Sequence, residues 1–212
     1  PGPFTIYRTA MFQAIGGFRA AHNTEDMEIA LRMQKEGWRI ENAPRARVYT
    51  TVPTTIRALI KQRTRWTTGF IRNGIDYRTL FLNPSHGVLG LITLPLNAIM
   101  IVLGVTVFVF TIFNTVKASY ELVNTLFVVP LSYSLTPHVD VFFIPITTLL
   151  VIGLTVLGIM VVTVHMGAHI SQTKPRLGAG MLWYAFCYGL ISPLWLLSSV
   201  ADTLFGIRRK WR

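Results

Sequence analysis

Gln62-Arg63-Thr64-Arg65-Trp66, with Thr24-Glu25-Asp26 lying 36 residues upstream (Asp26 to Gln62), is the pairing on which the reading of this chain turns. The upstream element offers a carboxylate able to take a proton. The downstream one sets an amide, fixed positive charge and a large flat ring along one helical stretch. Before and between them the sequence is mixed and charged. Beyond them it is almost wholly apolar.

That contrast is quantitative. Residues 1–85 carry 13 Lys/Arg and 6 Asp/Glu, whereas residues 86–212 carry 7 and 3. A hydrophobic fraction of 51% exceeds that of an average soluble domain, so a membrane class is the first expectation. The net charge of +11 raises nucleic acid as a partner. The basic residues instead flank long apolar runs, as positive-inside sorting produces, and no nucleic-acid-binding motif accompanies them. No nucleic-acid partner is therefore expected; a basic face near anionic lipid or a diphosphate fits better. Cys187 is the only cysteine, which excludes an intrachain disulfide. The start, Pro1-Gly2-Pro3-Phe4, has neither the basic nor the apolar region of a signal peptide. The chain reads as the C-terminal portion of something longer.

Residues 1–50 read as a short α/β segment. Phe4–Tyr7, Trp38–Ile40 and Ala46–Thr50 suit strands, and Thr9–Ile15 suits a short helix stopped by Gly16-Gly17. Met27–Glu36 has helical spacing, with Met27, Ala30 and Leu31 on one face, Gly37 as its stop and Asn23 or Thr24 as its cap. A second helix opens after Pro53, capped by Thr54 or Thr55. Ile56, Leu59, Ile60, Trp66, Phe70 and Ile71 line one broad side, giving a basic amphipathic helix suited to a membrane surface or the flank of a catalytic domain. Asn83-Pro84-Ser85 marks the turn into the second section, residues 86–212.

No Asp, Glu, Lys or Arg occurs from Thr79 to Val116. A membrane span needs roughly 20 apolar residues, so residues 88–113 are expected to cross, as are 141–165 and 181–205, the last interrupted by Pro193. Leu122–Leu135 is short, contains Pro130 and suits a re-entrant or interfacial piece. With residues 1–85 cytoplasmic, the loop bearing Lys174 and Arg176 is cytoplasmic too, in line with the positive-inside bias. A third crossing would put Arg208–Arg212 outside, against that bias, so the topology of the C-terminus stays open.

The chemistry begins with Asp26. A carboxylate within reach of a hydroxyl can remove its proton as the oxygen attacks. Asp26 stands at a predicted helix start, where the macrodipole favours negative charge. The plain alternative is an acidic helix N-terminus and nothing more. Gln62, Arg65 and Trp66 fall at i, i+3 and i+4 and share a helix face. Arg65 offers a permanent planar fork suited to phosphate oxygens. Gln62 both donates and accepts, and the indole of Trp66 gives a flat apolar face for a sugar ring. The plain alternative is an interfacial helix with Trp66 in a headgroup belt. His165 and His169, at i, i+4, lack the further ligands a metal would need. Asp202, inside an apolar run, is costly in lipid unless it faces protein or water.

Taken together, Thr24-Glu25-Asp26 and Gln62-x-x-Arg65-Trp66, followed at once by apolar helices, resemble the processive family 2 glycosyltransferases. These include the cellulose, hyaluronan, chitin and poly-N-acetylglucosamine synthases. The resemblance covers residues 1–85 by motif and 86–212 by general architecture. It implies a fold: the C-terminal part of a nucleotide-sugar, GT-A-like α/β domain, then an α-helical transmembrane bundle. It implies roles as well. Asp26 would be the general base of an inverting transfer, with Thr24 and Glu25 completing its motif. Trp66 would stack on the acceptor sugar, and Gln62 and Arg65 would contact the nucleotide diphosphate and acceptor. Arg63 belongs to the same motif but projects from a different helical face. Gly2 would allow close backbone approach to the acceptor site, or else Gly2-Pro3 is simply a turn.

The family's donor half, with its uridine-binding and Asp-x-Asp metal-binding residues, is not in this sequence. Mg²⁺ or Mn²⁺ is expected, held mainly by that half, and the isolated chain is expected to be inactive. The implied protein is a multi-pass enzyme of the plasma membrane with its catalytic part cytoplasmic. Its donor would be a nucleotide-diphosphate sugar, its acceptor a growing polysaccharide, its surroundings membrane lipid. Two rivals stand beside it: a non-processive enzyme acting on a glycolipid, and a non-catalytic membrane anchor or transport subunit.

Overall fold

The computed structural model describes residues 2, 4–43, 46, 48–128, 146–172 and 179–207. The chain divides into two compact units, Pro1–Phe108 together with Trp183–Arg212, and Val109–Leu182. Six helices are described: α1 (Thr9–Ile15), α2 (Glu25–Lys35), α3 (Ile56–Asp76), α4 (Leu94–Val128), α5 (Ile146–Ile170) and α6 (Ala179–Leu204). Short 3₁₀ turns at Arg78–Leu80 and Pro84–His86 and a π-helical turn at Leu89–Thr93 join α3 to α4.

In the first unit α1 has the predicted bounds. Gly16 ends it at φ 79°, a left-handed value glycine adopts without steric cost, and its N–H donates to the Phe12 carbonyl. α2 buries Ile29, Ala30 and Leu31 on its inner side. A charge pair is buried beside them: the Arg32 guanidinium lies 3.1 Å from the Glu28 carboxylate, both side chains nearly sealed from solvent. Arg32 also donates to the carbonyls of Ile15 and Gly17, each at 2.8 Å, and so ties the end of α1 to α2. Tyr77 donates its hydroxyl to Glu28 at 2.5 Å. Burial, then this bond to Glu28, pushes the Tyr77 phenol up to about 12. Leu31, Tyr77, Leu80 and Leu94 form the adjoining apolar core.

α3 begins as read, with the Thr55 hydroxyl accepting from the Ala58 N–H at 3.2 Å. Its buried face differs from the expected apolar side. The sealed residues are Thr64, Thr68, Gly69, Asn73 and Gly74, while Ile56 and Trp66 are exposed. Small side chains let neighbouring backbone come close. The Ser199 hydroxyl of α6 donates to the Thr64 carbonyl at 3.2 Å, and Arg72 donates to the carbonyls of Asp202 and Ile207.

Among the described residues there is no strand, so Phe4–Tyr7 and Trp38–Ile40 do not form the expected ones; Arg47 of Ala46–Thr50 lies outside the described residues, and the described part is helical with irregular connections. Thr5–Arg8 and Trp38–Glu41 both line a cavity of about 480 Å³ but do not pair as strands. An extended segment becomes a strand only when a neighbour completes its hydrogen-bond ladder. The α/β part of the expectation therefore rests on family membership alone.

Two helices among the described residues are long and apolar enough to cross a membrane, Leu89–Phe127 and Gly153–Ile170. α4 runs well past the predicted end at 113 and absorbs Leu122–Phe127, expected to be interfacial; Pro130 lies outside the described residues. No helix breaker intervenes before Val128. The polar side chains along the way turn back on their own helix, as Asn114 does to the Phe110 carbonyl and Ser119 to that of Thr115, both at 2.8 Å. At about 1.5 Å per residue α4 is about 50 Å long, more than the roughly 30 Å of a hydrocarbon core. Residues 141–145 of the second expected span lie outside the described residues, and the rest belong to α5. The third expected span, 181–205, falls almost wholly within α6, which carries Pro193 in its interior and is not one of those two helices.

Candidate acceptor site

Three segments of the first unit meet at the mouth of α2. The loop His22–Thr24 delivers the chain into the helix with two successive non-glycine residues in left-handed conformation, His22 at φ 48° and Asn23 at φ 61°. Thr24 follows, buried to 4% exposure. Its hydroxyl does not cap α2. It donates to the Ala21 carbonyl at 3.4 Å and accepts from Asn73 Nδ2 of α3 at 2.9 Å. The exposed first turn of α2 then carries Glu25 and Asp26. Asp26 Oδ1 accepts from the Met27 N–H at 2.9 Å, which fixes the carboxylate at the helix start. Among the described residues, its other oxygen has no hydrogen-bond partner.

A cavity of about 460 Å³ opens there. Thr24, Glu25 and Asp26 line it from α2, Arg65 and Trp66 from α3, and Gly2 from the N-terminal segment. Phe4, Tyr7 and Phe18 complete the wall. Tyr7 and Phe18 belong to an aromatic cluster with Phe12, ring centroids 5.3 to 5.7 Å apart. These aromatic walls escape the sequence reading, because they come from segments that pass for a strand and a loop. The Trp66 indole is 40% exposed, enough to offer a face to a ligand.

Gln62 and Arg63 do not line this cavity. The Arg63 guanidinium instead lies over the Trp66 ring at 4.8 Å and near the Tyr188 ring of α6 at 5.9 Å. Cation–π contact on one side leaves the rest of the indole for the cavity. Gly2 lines the cavity, yet a Cβ there would meet nothing within 4 Å. Space is therefore not what favours glycine here; its φ of 158° is, since L side chains rarely adopt that value. Gly2 closes a local turn with Thr5, whose hydroxyl donates to the Gly2 carbonyl at 2.8 Å.

Glu25 and Asp26 are two carboxylates, and among the described residues no group of three or more His, Cys, Asp or Glu side chains is placed to hold a metal ion. The described residues here do not make a divalent-cation site. A second basic cavity of about 610 Å³ adjoins the first, sharing Phe18, Asn23, Glu25 and Arg65 and adding Arg19 and Arg72.

A carboxylate, a guanidinium and an exposed indole thus surround one cavity. The family model for glycosyl transferase family group 2 matches residues 1–196, and the chain belongs to that family. Among curated proteins, the chain is similar to a poly-beta-1,6-N-acetyl-D-glucosamine synthase of Staphylococcus aureus, 32% identical over 68 residues. It is also similar to the Oryza sativa subsp. japonica protein named Probable glucomannan 4-beta-mannosyltransferase 4, 31% identical over 68 residues. Each match covers 32% of this chain, but only 16% of the first relative and 12% of the second. The chain thus matches a minor part of the curated relatives. No solved structure matches it.

Proposed function

We propose that this chain supplies the acceptor side of a membrane-integrated, inverting glycosyltransferase that elongates a polysaccharide from a nucleotide-diphosphate sugar. The observation that carries the reading is the single cavity in which Asp26 faces Arg65 and Trp66. In this account the terminal sugar of the acceptor stacks on Trp66. Asp26 takes the proton from its attacking hydroxyl as the oxygen bonds to the anomeric carbon of the donor. The bond to the nucleoside diphosphate breaks on the opposite face, and the permanent charge of Arg65 stabilises the departing anion. Arg63 holds the indole from behind.

The two long apolar helices support a membrane location, with residues 1–85 on the cytoplasmic side and the helices beside the path of the product. The names of the relatives support polymer synthesis, one being a poly-N-acetylglucosamine synthase and the other a probable glucomannan mannosyltransferase.

The test is radiolabelled transfer by the full-length protein in membrane vesicles, across a panel of nucleotide sugars with Mg²⁺ or Mn²⁺. A long polymer from one donor is the expected product. A short lipid-linked product would replace polymer synthesis by glycolipid synthesis. Absence of incorporation from every donor by folded protein would favour a non-catalytic anchor or transport subunit.

A further inference from the structure

Residues 22–26 run along α3 in the direction opposite to the helix, and they touch it at regular intervals. His22 Nε2 lies 2.8 Å from the Asp76 carboxylate. Thr24 Oγ1 accepts from Asn73 at 2.9 Å and packs on Gly69. Glu25 and Asp26 share their cavity with Arg65 and Trp66. Steps of four and three residues (65, 69, 73, 76) keep these α3 positions on one face. One stripe therefore holds Arg65 of the site at one end and a docking track for the Asp26 segment along the rest.

The fit at Gly69 is tight. A Cβ there would stand 2.9 Å from the Thr24 Cβ and well inside contact distance of its Oγ1 and Cγ2. Thr24 and Asn73 are buried to 4% and 0% exposure. The two left-handed residues just before Thr24 add a constraint, since such backbone persists only where its surroundings over-determine it. The His22–Asp76 contact is more exposed and contributes less.

We propose that Gly69 and Asn73, with Asp76 in a lesser part, are positioning residues. They fix the register of His22–Asp26 along α3 and thereby the placement of Asp26 against Arg65 and Trp66. None of them touches the reacting atoms. The inference rests on the reading of this cavity as the transfer site.

The experiment uses the full-length protein in vesicles and measures kcat, KM for the nucleotide sugar and thermal unfolding. Thr24→Val keeps the side-chain volume and removes the hydroxyl that Asn73 grips; Thr24→Ser keeps the hydroxyl. A displacement of about 1 Å costs on the order of 100-fold in rate. Thr24→Val and Asn73→Ala are therefore expected to lower kcat by about 10- to 100-fold with KM for the donor within about twofold of the parent, a loss confined to the transition state. Thr24→Ser is expected to recover most of that loss. Gly69→Ala is expected to fall furthest, and where it fails to fold, Thr24→Val decides. Unchanged kcat in Thr24→Val and Asn73→Ala with lowered melting, while Asp26→Asn is inactive, would overturn the positioning role and leave the site reading intact. Full turnover by Asp26→Asn would overturn the site reading and this inference with it.

Discussion

α3 and α5 sort their residues in opposite ways. α3 seals Thr64, Thr68, Gly69 and Asn73 inside the first unit and leaves Ile56 and Ile75 exposed. α5, in the second unit, holds Leu154, Val156, Ile159, Val162 and Met166 more than half exposed, and among its described side chains only Ala168 is buried. A helix that hides small polar groups and shows charge is built to pack tightly and to face water. A helix apolar all round requires an apolar solvent or a protein cover. The difference teaches that the chain joins a water-facing chemical part to a part whose exposed surface suits lipid. The proposed positioning of Asp26 would lie in the first, through buried hydrogen bonds such as that of Asn73 to Thr24.

The largest way to break this contrast is to put charge on α5. Asp costs about 3 kcal/mol at the centre of a span, so Val156→Asp with Ile159→Asp is expected to cost about 6 kcal/mol of insertion. Alkaline carbonate extraction of the double variant should release protein that the parent retains in the membrane. Retention of both would contradict a lipid-facing α5.

Next comes the buried pair of the first unit. Arg32→Met strands the Glu28 carboxylate in the interior, where loss of one partner costs about 3–5 kcal/mol. Thermal unfolding in detergent should show it as a large drop in Tm.

Tyr77 sharpens the same point through pH. Its phenol, pushed up to about 12, holds its proton more tightly folded than unfolded. Its stabilising contribution is therefore complete below pH 10 and lost as pH rises toward 12. Tyr77→Phe should flatten that alkaline loss in unfolding measured across this range. The smallest effect is expected at Lys117→Met. The exposed Lys117–Glu121 pair at 3.8 Å should change stability by less than about 0.5 kcal/mol in the same measurement.

What is legible in the sequence follows from the range of each interaction. α1 can be read to the residue, since Gly16 punctuates it locally. The start of α3 is readable because Thr55 caps it from three residues away. The strands do not form although Phe4–Tyr7 and Trp38–Ile40 have strand composition, because strand identity depends on a partner that composition does not supply. The extent of α4 is hidden because the ion pair and polar residues after Phe113 suggest a boundary, whereas they bond within the helix. Within the site, Asp26, Arg65 and Trp66 line one cavity, a grouping that the family resemblance implies and that helical spacing alone does not. Gln62 does not join them. Gly69 and Asn73 are invisible in the sequence because Thr24 meets Asn73 across 49 residues, and nothing local marks either position. Arg63 points off the face shared by the motif; its ring contacts give it a role that helical spacing alone does not reveal.

The most direct test of the central claim, that Asp26 and Arg65 serve one site, is a double-variant cycle on turnover by the full-length protein. Asp26→Asn, Arg65→Ala and the combination would be compared in vesicles with the same donor, with folding checked by unfolding. Groups that act as a unit are strongly non-additive. The account predicts that the double variant is about as slow as the slower single variant. Losses that multiply, as for two independent positions, would contradict it.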